Sequence, residues 1–177
     1  MSELIDKALA DCGDTDVVAM GRDVLGETGR VFTELFGDSK AIIIADENTW
    51  AVAGEQTKAS LEGAGVKMVE PMIFPGRPAV YACYENVEKV RDHLRDLDEV
   101  IACSIGSGTL NDIVKRASDE LGRRYMNVCT AASMDGYAAF GASITENGFK
   151  HTMSCRAPQA LIADLPTMAL SLIHISE

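Results

Sequence analysis

The sequence predicts an α/β fold, an open and mostly parallel sheet with helices flanking it. Three observations carry this. Apolar runs of strand length alternate with helical patterns along most of the chain. The run Ala41-Ile42-Ile43-Ile44-Ala45 is continuous rather than alternating, as expected for a strand covered on both faces. A second run, Val100–Ile105, leads into Gly106-Ser107-Gly108-Thr109 and then a helix expected to begin near Asn111. That junction sets backbone N–H groups and a helix N-terminus where a phosphate can bind.

The elements follow in order. Residues 1–14 read as a short helix ending near Gly13, and Val17–Met20 as a short strand. A helix through Val31–Phe36 stops at Gly37, where the strand 41–45 is about to begin. Thr49 to Gly63 is helical in pattern, with Ala51, Ala53, Ala59 and Leu61 available for packing. Val66–Glu70 reads as the next strand, and Pro71, Pro75, Gly76, Arg77 and Pro78 as a long loop. Tyr84 to Leu97 is amphipathic, with Val87, Val90 and Leu94 on one face. After the glycine turn, a helix runs to Leu121 and ends at Gly122, and Tyr125–Cys129 is a short strand. From Thr130 small residues dominate, which marks a tight loop or a surface that a ligand approaches closely. Leu161–Ala163 is a last apolar run, ending at Asp164.

Composition narrows the function. A chain of 177 residues can bury a full core, and its net charge of -11 disfavours nucleic acid and anionic membranes, which need basic patches. It has no run of 18 apolar residues, so no membrane span is expected, and the charged start Met1–Lys7 is not a signal peptide. The five cysteines, Cys12, Cys83, Cys103, Cys129 and Cys155, form no C-x-x-C pair. They read as reduced thiols of a cytoplasmic protein and not as a metal site.

The motifs have competing readings. The turn at 106–109 is neither G-x-x-x-x-G-K-[ST] nor G-x-G-x-x-G, and Lys115 lies two helical turns on, too far to serve as a phosphate lysine of the first kind. Its place at a strand's carboxyl end favours ligand binding. Asp46 ends a strand too, and either accepts hydrogen bonds from a ribose or caps the following helix. Thr130 to Gly136 offers two hydroxyls and a carboxylate to a polar ligand, or is a capped loop. Asp164 is either a metal ligand or a helix cap. His93, His151 and His174 are isolated and read as surface or structural histidines.

Taken in order, Asp46-Glu47-Asn48-Thr49, Gly106–Asp112 with Lys115, Thr130–Ala138 and Ala157–Asp164 resemble the N-terminal half of the iron-containing alcohol dehydrogenase, glycerol dehydrogenase and dehydroquinate synthase superfamily. Within it the chain is most similar to the sn-glycerol-1-phosphate dehydrogenases. The resemblance reaches about Met168. It implies a Rossmann-like N-terminal domain over residues 1–168 that binds NAD or NADP.

By that resemblance Gly106, Ser107, Gly108, Thr109 and Leu110 would hold the cofactor pyrophosphate. Thr130 and Ser133 would contact the cofactor, and Asp135 the substrate, a small polyol phosphate. Asp164 would touch the substrate and be one of three ligands to a divalent metal, usually zinc, with nickel or iron elsewhere in the superfamily. That metal would act as a Lewis acid on the substrate oxygen. The implied reaction is the interconversion of sn-glycerol 1-phosphate and dihydroxyacetone phosphate, in a cytoplasmic protein that can be a homo-oligomer.

Two departures stand out. Ala139 replaces a serine that often follows the substrate aspartate by four residues. The other two metal ligands are histidines of a helical C-terminal domain that lies beyond this sequence, and His174 matches neither. Residues 169–177 do not continue the family pattern and are expected to be a non-native tail at a truncated reading frame. The alternatives are a glycerol or polyol dehydrogenase of the same superfamily and, in a different class, a nucleotide-binding module without catalysis.

Overall fold

The structure is a computed structural model that describes residues 3–134 and 136–173. Helix α1 (Glu3–Ala10) precedes strand β1 (Val17–Gly21), a 3-10 turn (Val24–Glu27) and helix α2 (Thr28–Phe36). Strand β2 (Lys40–Asp46) feeds a helical stretch in three pieces: α3 (Glu47–Thr49), a π turn (Trp50–Gly54) and α4 (Glu55–Gly63). Then come β3 (Met72–Phe74), α5 (Tyr84–Arg95), β4 (Val100–Gly106), α6 (Gly108–Glu120) and β5 (Tyr125–Cys129). A hairpin of β6 (Ala142–Glu146) and β7 (Phe149–Met153) precedes β8 (Ala160–Asp164) and α7 (Leu165–Ile173).

Six strands form one sheet in the order β1-β8-β5-β4-β2-β3, and every pair in it is parallel. The continuous apolar strands follow from this layering. Ile42 and Ile44 face one way, packing with Val87, Val90 and Leu94 of α5 and Ile113, Val114 and Ala117 of α6. Ala41, Ile43 and Ala45 face the other way, packing with Val31 and Phe32 of α2 and Leu61 of α4. All three isoleucines are fully buried, and each contributes about 1.5–3 kcal/mol of transfer free energy. Gly29 lets α2 and α4 touch, since a Cβ there would sit 2.1 Å from the Ser60 carbonyl oxygen.

Three expectations need correction. The strand read at 66–70 is only an isolated bridge, Ala41 to Met68, and the ladder proper is Met72–Phe74. Ala41 faces Met68 but Ile44 faces Met72, so one extra residue is inserted between them. Pro71, which has no N–H to donate, lies in that interval. Helix α6 begins at Gly108, three residues before the expected Asn111, so two residues of the turn already belong to its first turn. The small-residue region after Thr130 is not all loop, because it leads into the β6–β7 hairpin. There Asn147 and Gly148 both take positive φ, 51° and 80°, the two-residue turn that matches strand twist.

Candidate functional site

The site grows out of the sheet order. From β2 the chain moves outward to β3, then returns past β2 to form β4 on its other side. Connections therefore leave the carboxyl ends of β2 and β4 in opposite directions and open a crevice, where ligands bind in folds of this kind. Asp46 ends β2 and Gly106 ends β4, so two candidates a long way apart in sequence face the same crevice.

On the β4 side, Ser107 is the extended residue ahead of α6, and no side chain caps the helix there. The first N–H groups of α6 are thus left to a ligand, and the helix dipole concentrates about half a positive charge at that end. Gly106 is required by the turn itself, since a Cβ there would lie 2.6 Å from Leu110 Cβ, whereas one on Gly108 would make ordinary contact with Met134 Cγ at 3.4 Å. This arrangement fits a phosphate or pyrophosphate group held by backbone amides.

On the β2 side, Asp46 is a helix cap. Its Oδ1 accepts the Thr49 N–H at 2.8 Å, while the Asp46 N–H donates to Thr49 Oγ1 at 3.0 Å. The capping contact uses Oδ1, and the same carboxylate lines the crevice, so the cap and ligand readings are compatible. Glu47 Oε2 accepts the Gly76 N–H at 2.9 Å and draws the 75–80 loop over the site. The resulting cavity, about 190 Å³, is walled by Asp46, Asn48, Thr49, Ala79, Val80, Ser107, Thr109 and Leu110. A second cavity of about 180 Å³ shares Asn48 and Thr49 with it and adds Thr130, Thr167 and Leu170. Together they make a trough from the ends of β2 and β4 toward the ends of β5 and β8. Two larger cavities, about 330 and 350 Å³, lie around Asp38 and Ser39 at the opposite end of the sheet and contain none of the candidates.

The other candidates divide. Thr130, at the end of β5, is buried and on the trough wall. Leu110 reaches the wall, but its side chain belongs to the core. Ser133 is exposed and lines neither cavity. Asp135 and His174 lie outside the described residues. Asp164 is only 4% exposed, and both its oxygens are engaged. Oδ1 accepts the Val24 N–H at 3.1 Å, and Oδ2 accepts the Thr167 N–H at 3.1 Å and hydroxyl at 2.8 Å. Among the described residues no three His, Cys, Asp or Glu gather where a metal could sit. These residues do not by themselves fit a metal centre, and in this structure Asp164 holds the start of α7 to the β1–α2 connection.

One feature escaped the sequence reading. Lys115 is fully buried on α6, and its ammonium donates to the carbonyls of Ala139 at 2.9 Å and Gly141 at 3.0 Å, with Asp112 Oδ1 at 3.6 Å. Asp112 Oδ2 accepts the Ser143 N–H at 3.0 Å. Burial pushes the Asp112 carboxyl up, opposed by that N–H and by the ammonium. Asn111 accepts the Tyr125 hydroxyl at 2.9 Å and donates to the Tyr137 carbonyl at 3.4 Å. The Tyr137 hydroxyl, pushed to about 12 by burial, donates to the Ala131 carbonyl at 3.0 Å. The 131–143 segment is thus tied to α6 by polar groups at several points. The signal was present: Asn111, Lys115 and Ser118 recur at helical spacing beside the apolar stripe of Leu110, Ile113, Val114 and Ala117.

Comparison with known proteins follows the same outline. Residues 19–170 match the family described as iron-containing alcohol dehydrogenase. The chain is 32% identical over 152 residues to a glycerol-1-phosphate dehydrogenase [NAD(P)+] of Haloarcula marismortui, covering 86% of this chain and 42% of that protein. It is 35% identical over 147 residues to the enzyme of the same name from Methanosarcina barkeri, covering 83% and 40%. An NADH-dependent butanol dehydrogenase of Thermotoga maritima superposes with a TM-score of 0.72 at 16% identity, covering 85% of this chain and 43% of that one. The chain spans about two fifths of the length of these relatives.

Proposed function

The chain belongs to the iron-containing alcohol dehydrogenase family, and we propose that it supplies the nucleotide-binding part of an NAD(P)-dependent dehydrogenase interconverting sn-glycerol 1-phosphate and dihydroxyacetone phosphate. One observation carries the reading: the uncapped N-terminus of α6, behind Gly106 and Gly108, faces Asp46 across the switch point of the sheet. The relatives' names supply the substrate.

In this reading the N–H groups of Ser107, Gly108 and Thr109 hold the pyrophosphate, with Gly106 and Leu110 shaping the turn. The helix end adds about 0.3–1 kcal/mol for each negative charge near it, and more where water is excluded. Asp46 accepts hydrogen bonds from the adenosine ribose hydroxyls and repels a 2′-phosphate. Thr130 offers its hydroxyl farther along the trough, and Ser133, outside both cavities here, would reach the cofactor only by a shift of its loop. Asp135 and Asp164 serve the substrate end, where Asp164 would give a divalent metal one oxygen donor only in exchange for its Val24 or Thr167 contact. When bound, the nicotinamide supplies the hydride acceptor. The chain's own part is to orient that ring and exclude water from it.

The domain takes in residues 1–168 in this proposal, and the family match stops two residues later, inside α7. A cytoplasmic location is part of it as well, consistent with the absence of any helix among the described residues long and apolar enough to cross a membrane. Kinetics of the longer protein test the substrate: turnover of glycerol 1-phosphate well above glycerol is expected, and the reverse would leave a polyol dehydrogenase in its place. A second reading applies to the 177 residues alone. Because the described residues gather no three metal donors, the chain is expected to bind nucleotide without turnover. Zinc-dependent reduction of NAD by the isolated chain would overturn that second reading.

A further inference from the structure

We propose that Lys115 is a positioning residue for dinucleotide binding, setting the 130–141 loop over the N-terminus of α6. The inference rests on the reading of that helix end as a pyrophosphate site and concerns a residue outside the trough.

A lysine is rarely buried completely without a reason in its surroundings. Here the ammonium is spent on the carbonyls of Ala139 and Gly141, residues of the segment that returns from the trough. Its charge is balanced by Asp112, one turn earlier on the same helix, and Asp112 grips the next part of that segment through the Ser143 N–H. Asn111 adds a hold on the Tyr137 carbonyl, and the Tyr137 ring, buried against Cys129 and Leu161, is bonded back to Ala131. All of these helix residues lie within two turns of Gly108. The helix that presents its amides to a pyrophosphate therefore also fixes the loop beginning at Thr130.

The consequence is selective. A ligand confined to the α6 end, such as ADP, needs the helix alone. A full dinucleotide also extends along the trough to Thr130 and depends on the loop being in place. An apolar side chain at 115 would leave the buried Gly141 carbonyl, the part-buried Ala139 carbonyl and the Asp112 carboxylate without the ammonium, and the loop would separate from the helix.

The test is titration of the 177-residue chain with NADH, by fluorescence, and with ADP, by calorimetry, for the wild type and for Lys115→Met, Lys115→Arg and Asp112→Asn. We expect Lys115→Met to weaken NADH about tenfold or more while ADP stays within about twofold, a split that general loss of stability would not produce. Lys115→Arg, which keeps charge and donors, restores most of the NADH affinity. If Lys115→Met does not fold, Asp112→Asn reads the same pair, with NADH weakened at least about threefold against an unchanged ADP. NADH affinity unchanged in a folded variant, or NADH and ADP weakened equally, overturns the positioning role alone. A wild-type chain that binds neither ligand overturns the nucleotide site itself and this inference with it.

Discussion

Gly106→Ala probes the turn most sharply. The added methyl carbon would stand 2.6 Å from Leu110 Cβ, 2.8 Å from Cδ1 and 3.2 Å from Cγ. Leu110 Cβ is fixed to the helix backbone and cannot swing aside, and the side chain is packed in the core at 2% exposure. Ordinary contact begins near 3.4 Å, so the first turn of α6 must move by about 0.8 Å. Overpacking of that kind costs about 1–3 kcal/mol. The same movement displaces the N–H groups of Ser107, Gly108 and Thr109 from a bound pyrophosphate. NADH affinity should fall about tenfold or more, equivalent to about 1.4 kcal/mol. Urea unfolding measures the first effect and fluorescence titration of the folded variant the second. Gly63→Ala is the control, because a Cβ there meets nothing within 4 Å in a helix, and it should leave binding alone and stability equal or higher. Gly106→Ala binding NADH as tightly as wild type would refute the phosphate role of the turn.

The remaining predictions address separate parts of the chain. Asp46→Ala should cost about 0.5–2 kcal/mol through the lost cap and should raise the affinity for NADPH relative to NADH, read by unfolding and paired titrations. Gly29→Ala would place a Cβ 2.1 Å from a backbone oxygen in α4, so it should lower the urea midpoint by more than Gly106→Ala while the surviving folded protein binds NADH normally. Burial pushes the Cys103 and Cys129 thiols up to about 12, whereas backbone N–H groups near Asp14 and Thr15 pull the Cys12 thiol down. A lower value means more thiolate, so at about pH 8 iodoacetamide should modify Cys12 long before Cys103 or Cys129, as peptide mapping would show.

Much of the fold is written locally. Ala41–Ala45 is apolar at every position, and Val100–Ile105 at every position but Ser104, because alternate side chains enter the two cores on either side of the sheet. Gly37 and Gly122, with φ of 58° and 66°, end their helices where the sequence places those ends. The hairpin was legible too, in Asn147-Gly148 between two short runs, but the small residues from Thr130 onward read as a tight loop or a close-approach surface. The position of β3 was not legible, because the one-residue slip near Pro71 depends on β2 as a partner. For the site, order along the chain indicated Asp46, the glycine turn and Thr130, and the sheet brings all three to one trough. The work of Lys115 was hidden, since its carbonyl partners lie 24 and 26 residues away and only the folded loop brings them to the helix.

The central claim is that the α6 end of the sheet, and not the larger cavities opposite, takes the nucleotide. Backbone amide NMR of the 177-residue chain titrated with NADH tests this directly. The account predicts shifts concentrated at Ser107, Gly108, Thr109, Asp46 and Thr130, saturating with one ligand per chain. Shifts confined to Phe36–Ser39 and Arg123, or no shifts at all, would contradict it.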